Sequence, residues 1–270
     1  MDSFVNIAGY RFVDLPDRDE LREPFREVCE ANRLLGTILL STEGINFFLC
    51  GDQPGIDGFL EYLESDDRFV DIPLKISHSG KLAFRRMNVR LKNEIISMGM
   101  DEIRPSEYTG DPISPTEFKQ WLDEGRDITV LDTRNDYEIR IGTFENAVDF
   151  DISTFRTFPD AVKNTNLNKE KTVVMFCTGG IRCEKASALM LKQGFQDVRQ
   201  LEGGVLGYFE EVGGAHWNGD CFVFDRRVAV DPEMNVTGAE VCFACREPLT
   251  EEELDSPLYV PAVSCPYCVE

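Results

Sequence analysis

Residues 171–187 read KTVVMFCTGGIRCEKAS. Lys171 to Phe176 form a short apolar, β-branched run, the mark of a buried strand. From Glu184 to Lys192 the residues favour helix, and Gly194 supplies a stop. Cys177 therefore stands where a strand hands over to a helix. Gly179 and Gly180 let the chain curl so that backbone N–H groups turn inward. The helix N-terminus adds partial positive charge, and Arg182 adds a full one. Such a setting favours a thiolate and lowers the Cys177 pKa. The alternative is a buried cysteine acting as a small hydrophobe; the glycine loop favours the reactive reading. Thr178, Gly179, Gly180, Ile181, Arg182 and Cys183 complete an anion cradle around the sulfur. Arg182 is expected to stabilise the thiolate or a bound phosphate. Two readings stand for Cys183: it resolves an oxidised or persulfidated Cys177 by forming a disulfide, or it packs as an ordinary helix residue.

Working outward from this loop, DITVLDT ends a strand at Asp132, AVDFD (147–151) reads as another strand, TFRTFPDAV as a helix, and DVRQLEGG as a further strand. Strands alternating with helices predict a parallel α/β sheet, whose sites lie at the C-terminal strand ends. Asp132 and Cys177 both fall there. Asp132 either hydrogen-bonds the loop or caps the following helix, the cap being the more economical role. The domain opens at Ser114-Pro115-Thr116-Glu117, a capping-box pattern with proline at the first helical position. Residues 101–113, DEIRPSEYTGDPI, read as a linker.

The first hundred residues alternate differently. A strand at the N-terminus, a helix over 17–34, two apolar runs hinged near Gly44, a short helix over 56–63 and later strands give the order βαββαβ. That order predicts an α+β ferredoxin-like sandwich. Between Lys75 and Lys92 the chain carries Lys75, Lys81, Arg85, Arg86, Arg90 and Lys92 with no acidic residue. Met87, Val89 and Leu91 alternate with Arg86, Asn88, Arg90 and Lys92, so FRRMNVRLKNEII is expected to be a strand with one apolar and one basic face. In a chain of net charge −21, an unbroken basic strand reads as an anion-binding surface.

A chain of 270 residues with 42% hydrophobic content has material for about two domains. It has no apolar run long enough for a membrane span and no basic-then-apolar leader, so a cytoplasmic, non-membrane protein is expected. Nine cysteines in that setting argue for metal or catalysis rather than disulfides. Cys242-x-x-Cys245 and Cys265-x-x-Cys268 stand 19 residues apart, the spacing of a closed four-cysteine zinc site with a structural role. Cys29, Cys50 and Cys221 are expected in the core. With only His78 and His216 available, far apart and without motif spacing, no iron site is evident, and no flavin motif is seen. His78 is expected at the surface and His216 in a loop.

Residues 114–213 resemble a rhodanese domain. The motifs that carry this are LDTRNDYEIRIGTFENAVDFD, CTGGIRCEKA and LEGGVLGY. The resemblance implies a loop cysteine of the kind that carries a persulfide in sulfur transfer. A narrower resemblance extends over the whole chain. EGIN, FRRMNVRLKNEI, CTGGIRCEKAS, CFVFDRRVAV and the cysteine-rich tail are together similar to the rhodanese-related, oxygen-dependent tRNA uridine(34) hydroxylases. This implies conversion of the wobble uridine to 5-hydroxyuridine, with Cys177 as catalytic cysteine, molecular oxygen as co-substrate and the tRNA anticodon region as partner. One departure is Phe47, where that family commonly has glycine after EGIN; no tight glycine turn is expected there.

The expected organisation is a ferredoxin-like (acylphosphatase-like), RNA-binding domain over 1–100, a linker over 101–113, a rhodanese domain over 114–215 and a cysteine-rich zinc-binding region over 216–270. Lys81, Arg85, Arg86, Arg90 and Lys92 are the expected RNA contacts. Two other functions compete: a plain sulfurtransferase working through a Cys177 persulfide, and a non-enzymatic scaffold. The first leaves the basic strand unexplained, and the second leaves the cysteine loop unexplained.

Overall fold

Amphipathic spacing places two helices on one sheet in the first unit. The computed structural model describes residues 4–269, and the chain divides into compact units at 1–109 and 110–270. In the first unit the elements run β1 (Phe4–Phe12), α1 (Arg18–Ala31), β2 (Leu35–Ser41), β3 (Gly44–Gly51), α2 (Gln53–Glu64), β4 (Lys75–Ser79) and β5 (Met87–Leu91). The sheet order is β4-β1-β3-β2-β5. The first four strands pair antiparallel, whereas β5 lies parallel to β2 at the edge.

Phe25 and Cys29 of α1 and Ile56, Phe59 and Leu63 of α2 close over Ile7, Ile38, Phe47 and Leu49. Phe47, the departure from the family pattern, sits in the middle of β3 and meets Phe59 edge-on at 5.5 Å. EGIN is a clamp: Glu43 Oε1 accepts from the Ile95 N–H at 2.7 Å, and Asn46 Nδ2 donates to the Ile95 carbonyl at 3.3 Å. The expected long basic strand is shorter than its pattern. Only Met87–Leu91 is strand, and residues 80–86 before it are irregular.

The second unit contains β6 (Asp111–Ile113), α3 (Pro115–Asp123), β7 (Thr129–Asp132), α4 (Asp136–Ile141), β8 (Gly142–Phe144), α5 (Phe158–Asn164), β9 (Val173–Phe176), α6 (Ile181–Lys192), β10 (Val198–Leu201) and α7 (Gly204–Val212). A parallel sheet of order β6-β10-β9-β7 is its centre. All of β9 is buried, as its apolar run predicts. Val174 and Phe176 face Phe118 of α3 and Tyr208 of α7 in one core. Val173 and Met175 point to the opposite side by strand alternation, where α6 packs on β9 and β10. Ser114 Oγ accepts from the Glu117 N–H at 3.2 Å and starts α3 with Pro115 at its first turn.

Three expectations change. Residues 111–113, placed in the linker, form the edge strand β6, paired parallel to Arg199–Leu201. Pro112 disguised it, and an edge strand is where a sheet tolerates proline. AVDFD makes only one bridge, Leu131 to Val148, and is not a strand. The ribbon that was not expected joins β8 to β11 (Trp217–Gly219). With the hairpin of β12 (Cys221–Phe222) and β13 (Ala229–Val230) it carries Trp217, Cys221, Val223 and Val230 into the core of the second unit, so the cysteine-rich region begins later than residue 216. Beyond it, β14 (Glu240–Val241) and β15 (Pro248–Leu249) form a hairpin, followed by the short α8 (Glu251–Leu254).

Candidate active site

Strand β9 ends at Phe176, and the next residue is Cys177. Two carbonyls of the loop are held from below by α7: the Val205 N–H donates to the Cys177 carbonyl at 2.9 Å, and the Leu206 N–H to that of Thr178 at 3.1 Å. This close approach needs glycine. Gly204 has φ +62, and a Cβ there would lie 2.3 Å from the Cys177 carbonyl oxygen. The LEGG motif thus exists to seat the cysteine loop.

Gly180, at φ +100, turns the chain into α6, and its N–H donates to Cys177 Sγ at 3.1 Å. Burial by itself would raise the Cys177 pKa. The Cys183 thiol, the Arg182 charge and the backbone N–H groups of Arg182 and Gly180 outweigh it and lower the value to about 6. The contrast with other buried thiols is direct, since burial pushes Cys29 and Cys221 up to about 12. Cys177 is only 1% exposed, so the thiolate is held in a dry cradle. The space in front of Gly179 is open, with no atom within 4 Å of a Cβ built there.

Cys183 is fully buried, its thiol beside Cys177 and 3.8 Å from Thr133 Oγ1. It is both a packed helix residue and a neighbour of the Cys177 sulfur. Arg182 is not free to take up a phosphate. Its Nη1 and Nη2 donate to Glu138 at 2.5 and 2.7 Å, and both side chains are buried. Burial favours the neutral form of Glu138, but Arg182 and then Arg134 hold its carboxyl below the usual range. Glu138 also accepts from Thr178 Oγ1 at 3.2 Å and from the Asn135 N–H at 3.1 Å. One carboxylate therefore fixes the loop, the arginine and the start of α4 together.

Glu138 did not emerge from the sequence. The signal was Asn135-x-x-Glu138, a capping pattern like the one recognised at Ser114. Asp132 does not cap a helix, as was expected. Its carboxylate accepts from the Arg134 N–H at 3.0 Å, from Arg134 Nε at 2.9 Å and Nη2 at 2.6 Å, and from Thr143 Oγ1 at 2.8 Å. Arg134 is wholly buried, donates to the Gly142 carbonyl at 2.6 Å, and lies near the Phe176 and Trp217 rings. This pair braces the strand end next to β9, and the Arg134 charge reaches the cradle through Glu138.

The basic residues lie in the first unit and the cysteine loop in the second. Lys81, Arg85, Arg86, Arg90 and Lys92 are all exposed, and none makes an ion pair among the described residues. Val89 between them is buried, as the alternation predicts. His78 is exposed, and His216 Nε2 pairs with Asp123 at 2.7 Å.

In the tail, the sulfurs of Cys242, Cys245, Cys265 and Cys268 lie within 4.8 Å of one another. The 245–265, 265–268 and 242–268 separations are 3.5, 3.6 and 4.0 Å. Tetrahedral Zn–S bonds of about 2.3 Å place sulfurs roughly 3.8 Å apart, so the donor set fits a closed metal site. Backbone N–H groups of Ala244 and Cys245 point at Cys242, and that of Tyr267 at Cys265, as in metal-binding knuckles. The cluster could hold a metal ion. Arg140 joins the tail to α4, pairing with Glu247 at 2.6 Å and covering the Tyr267 ring at 4.1 Å.

These features define a rhodanese-like domain, with its strand-end cysteine cradle, preceded by an acylphosphatase-like domain. Residues 4–95 match the UPF0176 acylphosphatase-like domain and residues 114–211 the rhodanese-like domain. Relatives named tRNA uridine(34) hydroxylase in Cupriavidus necator and Cupriavidus taiwanensis are each 53% identical, covering 98% of this chain and 96% of theirs. One from Burkholderia thailandensis is 47% identical over 98% of this chain and 93% of its own. The chain belongs to the tRNA uridine(34) hydroxylase family. No helix among the described residues is long and apolar enough to cross a membrane.

Proposed function

We propose that this chain hydroxylates the wobble uridine of tRNA to 5-hydroxyuridine, with Cys177 as the nucleophile. The observation that carries this reading is a thiolate-favouring Cys177 cradle in a chain related to tRNA uridine(34) hydroxylases over 98% of its length. The thiolate adds to uracil C6, forming a C–S bond and moving the C5–C6 π electrons to C5. C5 then takes one oxygen atom derived from molecular oxygen, and a thiol-class two-electron donor reduces the other to water. Loss of the C5 proton and expulsion of the Cys177 thiolate restore the aromatic ring. The balance is uridine plus O2, two electrons and two protons, giving 5-hydroxyuridine and water.

Arg182, held by Glu138, stabilises the thiolate both as attacking and as leaving group. Presenting C6 to the sulfur requires an unstacked base, which is cheap to obtain in an anticodon loop. The exposed Lys81, Arg85, Arg86, Arg90 and Lys92 supply the phosphate contacts. The four tail cysteines hold a structural zinc. It stabilises the tail fold and takes no part in the chemistry. Such an enzyme works where tRNA is, in the cytoplasm.

The same cradle suits a Cys177 persulfide, which keeps sulfur transfer as the second reading. The test is nucleoside mass spectrometry of tRNA from cells lacking the protein, complemented with wild type or Cys177→Ala. Return of 5-hydroxyuridine derivatives with wild type alone supports the proposal. If those nucleosides do not depend on the protein, while purified protein turns over thiosulfate and cyanide without RNA, sulfur transfer takes its place.

A further inference from the structure

Beside the cysteine loop stands a hairpin tip that the chemistry above leaves unused. β12 and β13 pair antiparallel, and the Val223 N–H donates to the Val228 carbonyl at 2.8 Å, closing residues 223–228. Inside the tip Asp225 accepts from Arg227 Nη2 at 2.5 Å, from its Nε at 2.9 Å and from its N–H at 2.9 Å. Val228 is held at φ +65, a left-handed conformation that a β-branched residue adopts only under constraint. The tip is thus fixed in shape, with Asp225 and Arg227 turned toward each other.

Two side chains point out. Phe224 is 49% exposed. Arg226 is exposed and makes no ion pair among the described residues. Single exposed aromatics are common and need no explanation; the position of this one does. The Arg182 guanidinium lies 5.7 Å from the Phe224 ring centroid, and Phe222 packs edge-on to Phe224 at 5.1 Å. The Phe222 carbonyl in turn accepts from Thr178 Oγ1 at 3.5 Å. A half-exposed aromatic ring therefore adjoins the Cys177 loop, with an exposed cation that makes no ion pair among the described residues two positions along. That is the chemistry that holds an unstacked base and its phosphate.

We propose that Phe224 and Arg226 are substrate-positioning residues: Phe224 stacks on a base of the single-stranded RNA brought to Cys177, and Arg226 holds the adjacent phosphate. The inference rests on the RNA reading above and adds the contact surface on the rhodanese side. The preformed tip spares the ordering cost that a mobile loop would meet on binding.

The test uses the full chain with an anticodon stem-loop RNA carrying uridine at the wobble position. Affinity is measured on Cys177→Ala protein and KM and kcat on the active enzyme, with Phe224→Leu, Phe224→Tyr and Arg226→Gln compared. Losing one base–aromatic stack should weaken binding by about 5- to 150-fold in Phe224→Leu, with Phe224→Tyr close to wild type. Arg226→Gln should weaken binding and lower the slope of log K against log salt by about 0.7, the value for one phosphate on a single strand. The pH midpoint for Cys177 alkylation should stay at its wild-type value in all three. Wild-type affinity in both Phe224→Leu and Arg226→Gln overturns the proposal and leaves the hydroxylase reading intact. A shifted alkylation midpoint that accounts for the loss also overturns it, because Phe224 then acts through Arg182. Failure of the wild-type protein to bind the RNA removes the RNA reading itself.

Discussion

Replacing Arg182 by methionine and Glu138 by glutamine together tests what lowers the Cys177 pKa. The double variant is needed because Arg182→Met alone would bury an unpaired carboxylate, at a cost of about 3–5 kcal/mol. In the wild type both terminal Arg182 nitrogens donate to Glu138, and the arginine also faces Cys177. A neighbouring opposite charge is worth about 1–3 pH units. With two taken as the working figure, the Cys177 midpoint rises from about 6 to roughly 8. At pH 7 the thiolate fraction then falls about tenfold, while each remaining thiolate becomes roughly eightfold more nucleophilic, from a Brønsted slope of 0.4–0.5. The two effects nearly cancel, so a single rate at pH 7 would mislead. The pH profile decides: the curve moves to higher pH, and above about pH 9 the variant reacts roughly eightfold faster than wild type. The assay is alkylation from about pH 4 to about pH 10, a window that holds both midpoints and the reference thiol value, with the Cys177 peptide quantified by mass spectrometry. Circular dichroism shows whether the variant is folded. A folded variant with its midpoint still near 6 would refute the role given to Arg182 and leave the loop N–H groups and Cys183 as the cause.

The seat of the loop gives a second expectation. Gly204→Ala forces a left-handed alanine and places its Cβ 2.3 Å from the Cys177 carbonyl oxygen, costing about 2–4 kcal/mol in urea unfolding. Gly179→Ala meets open space and should stay within about 1 kcal/mol of wild type; equal effects of the two would contradict the close-approach argument. The tail gives a third. Metal analysis should find one zinc per chain, lost in Cys265→Ser, and chelation should open residues 240–269 to protease while the Cys177 midpoint holds. A midpoint that moved on chelation would mean that Arg140, which joins the tail to α4, transmits the change to Glu138.

The cysteine loop was readable in advance because its determinants are local. Strand, glycine turn and helix start lie within 17 consecutive residues, and each follows from propensity and capping. The four-cysteine spacing was readable for the same reason. The basic strand was half readable. Alternation identified Val89 as buried and Arg90 as exposed, but overextended the strand into residues 80–86. Strands recognised by weak or interrupted patterns failed: Pro112 hid β6, and AVDFD has strand composition without a partner along most of its length.

Sequence by itself determined the α+β first unit and the α/β second unit, the strand-end position of Cys177 and the cysteines of the tail, because short-range periodicity and spacing encode them. Tertiary structure alone decided what holds the cradle itself in place. Glu138 reaches Arg182 across 44 positions, the Gly204 backbone presses on Cys177, and the tip bearing Phe224 comes back to the loop from 44 positions past Thr178 at its Phe222 carbonyl. Those contacts arise when buried charges must find partners and buried carbonyls must find donors. The chain meets that demand with residues far apart in sequence, which no local pattern records.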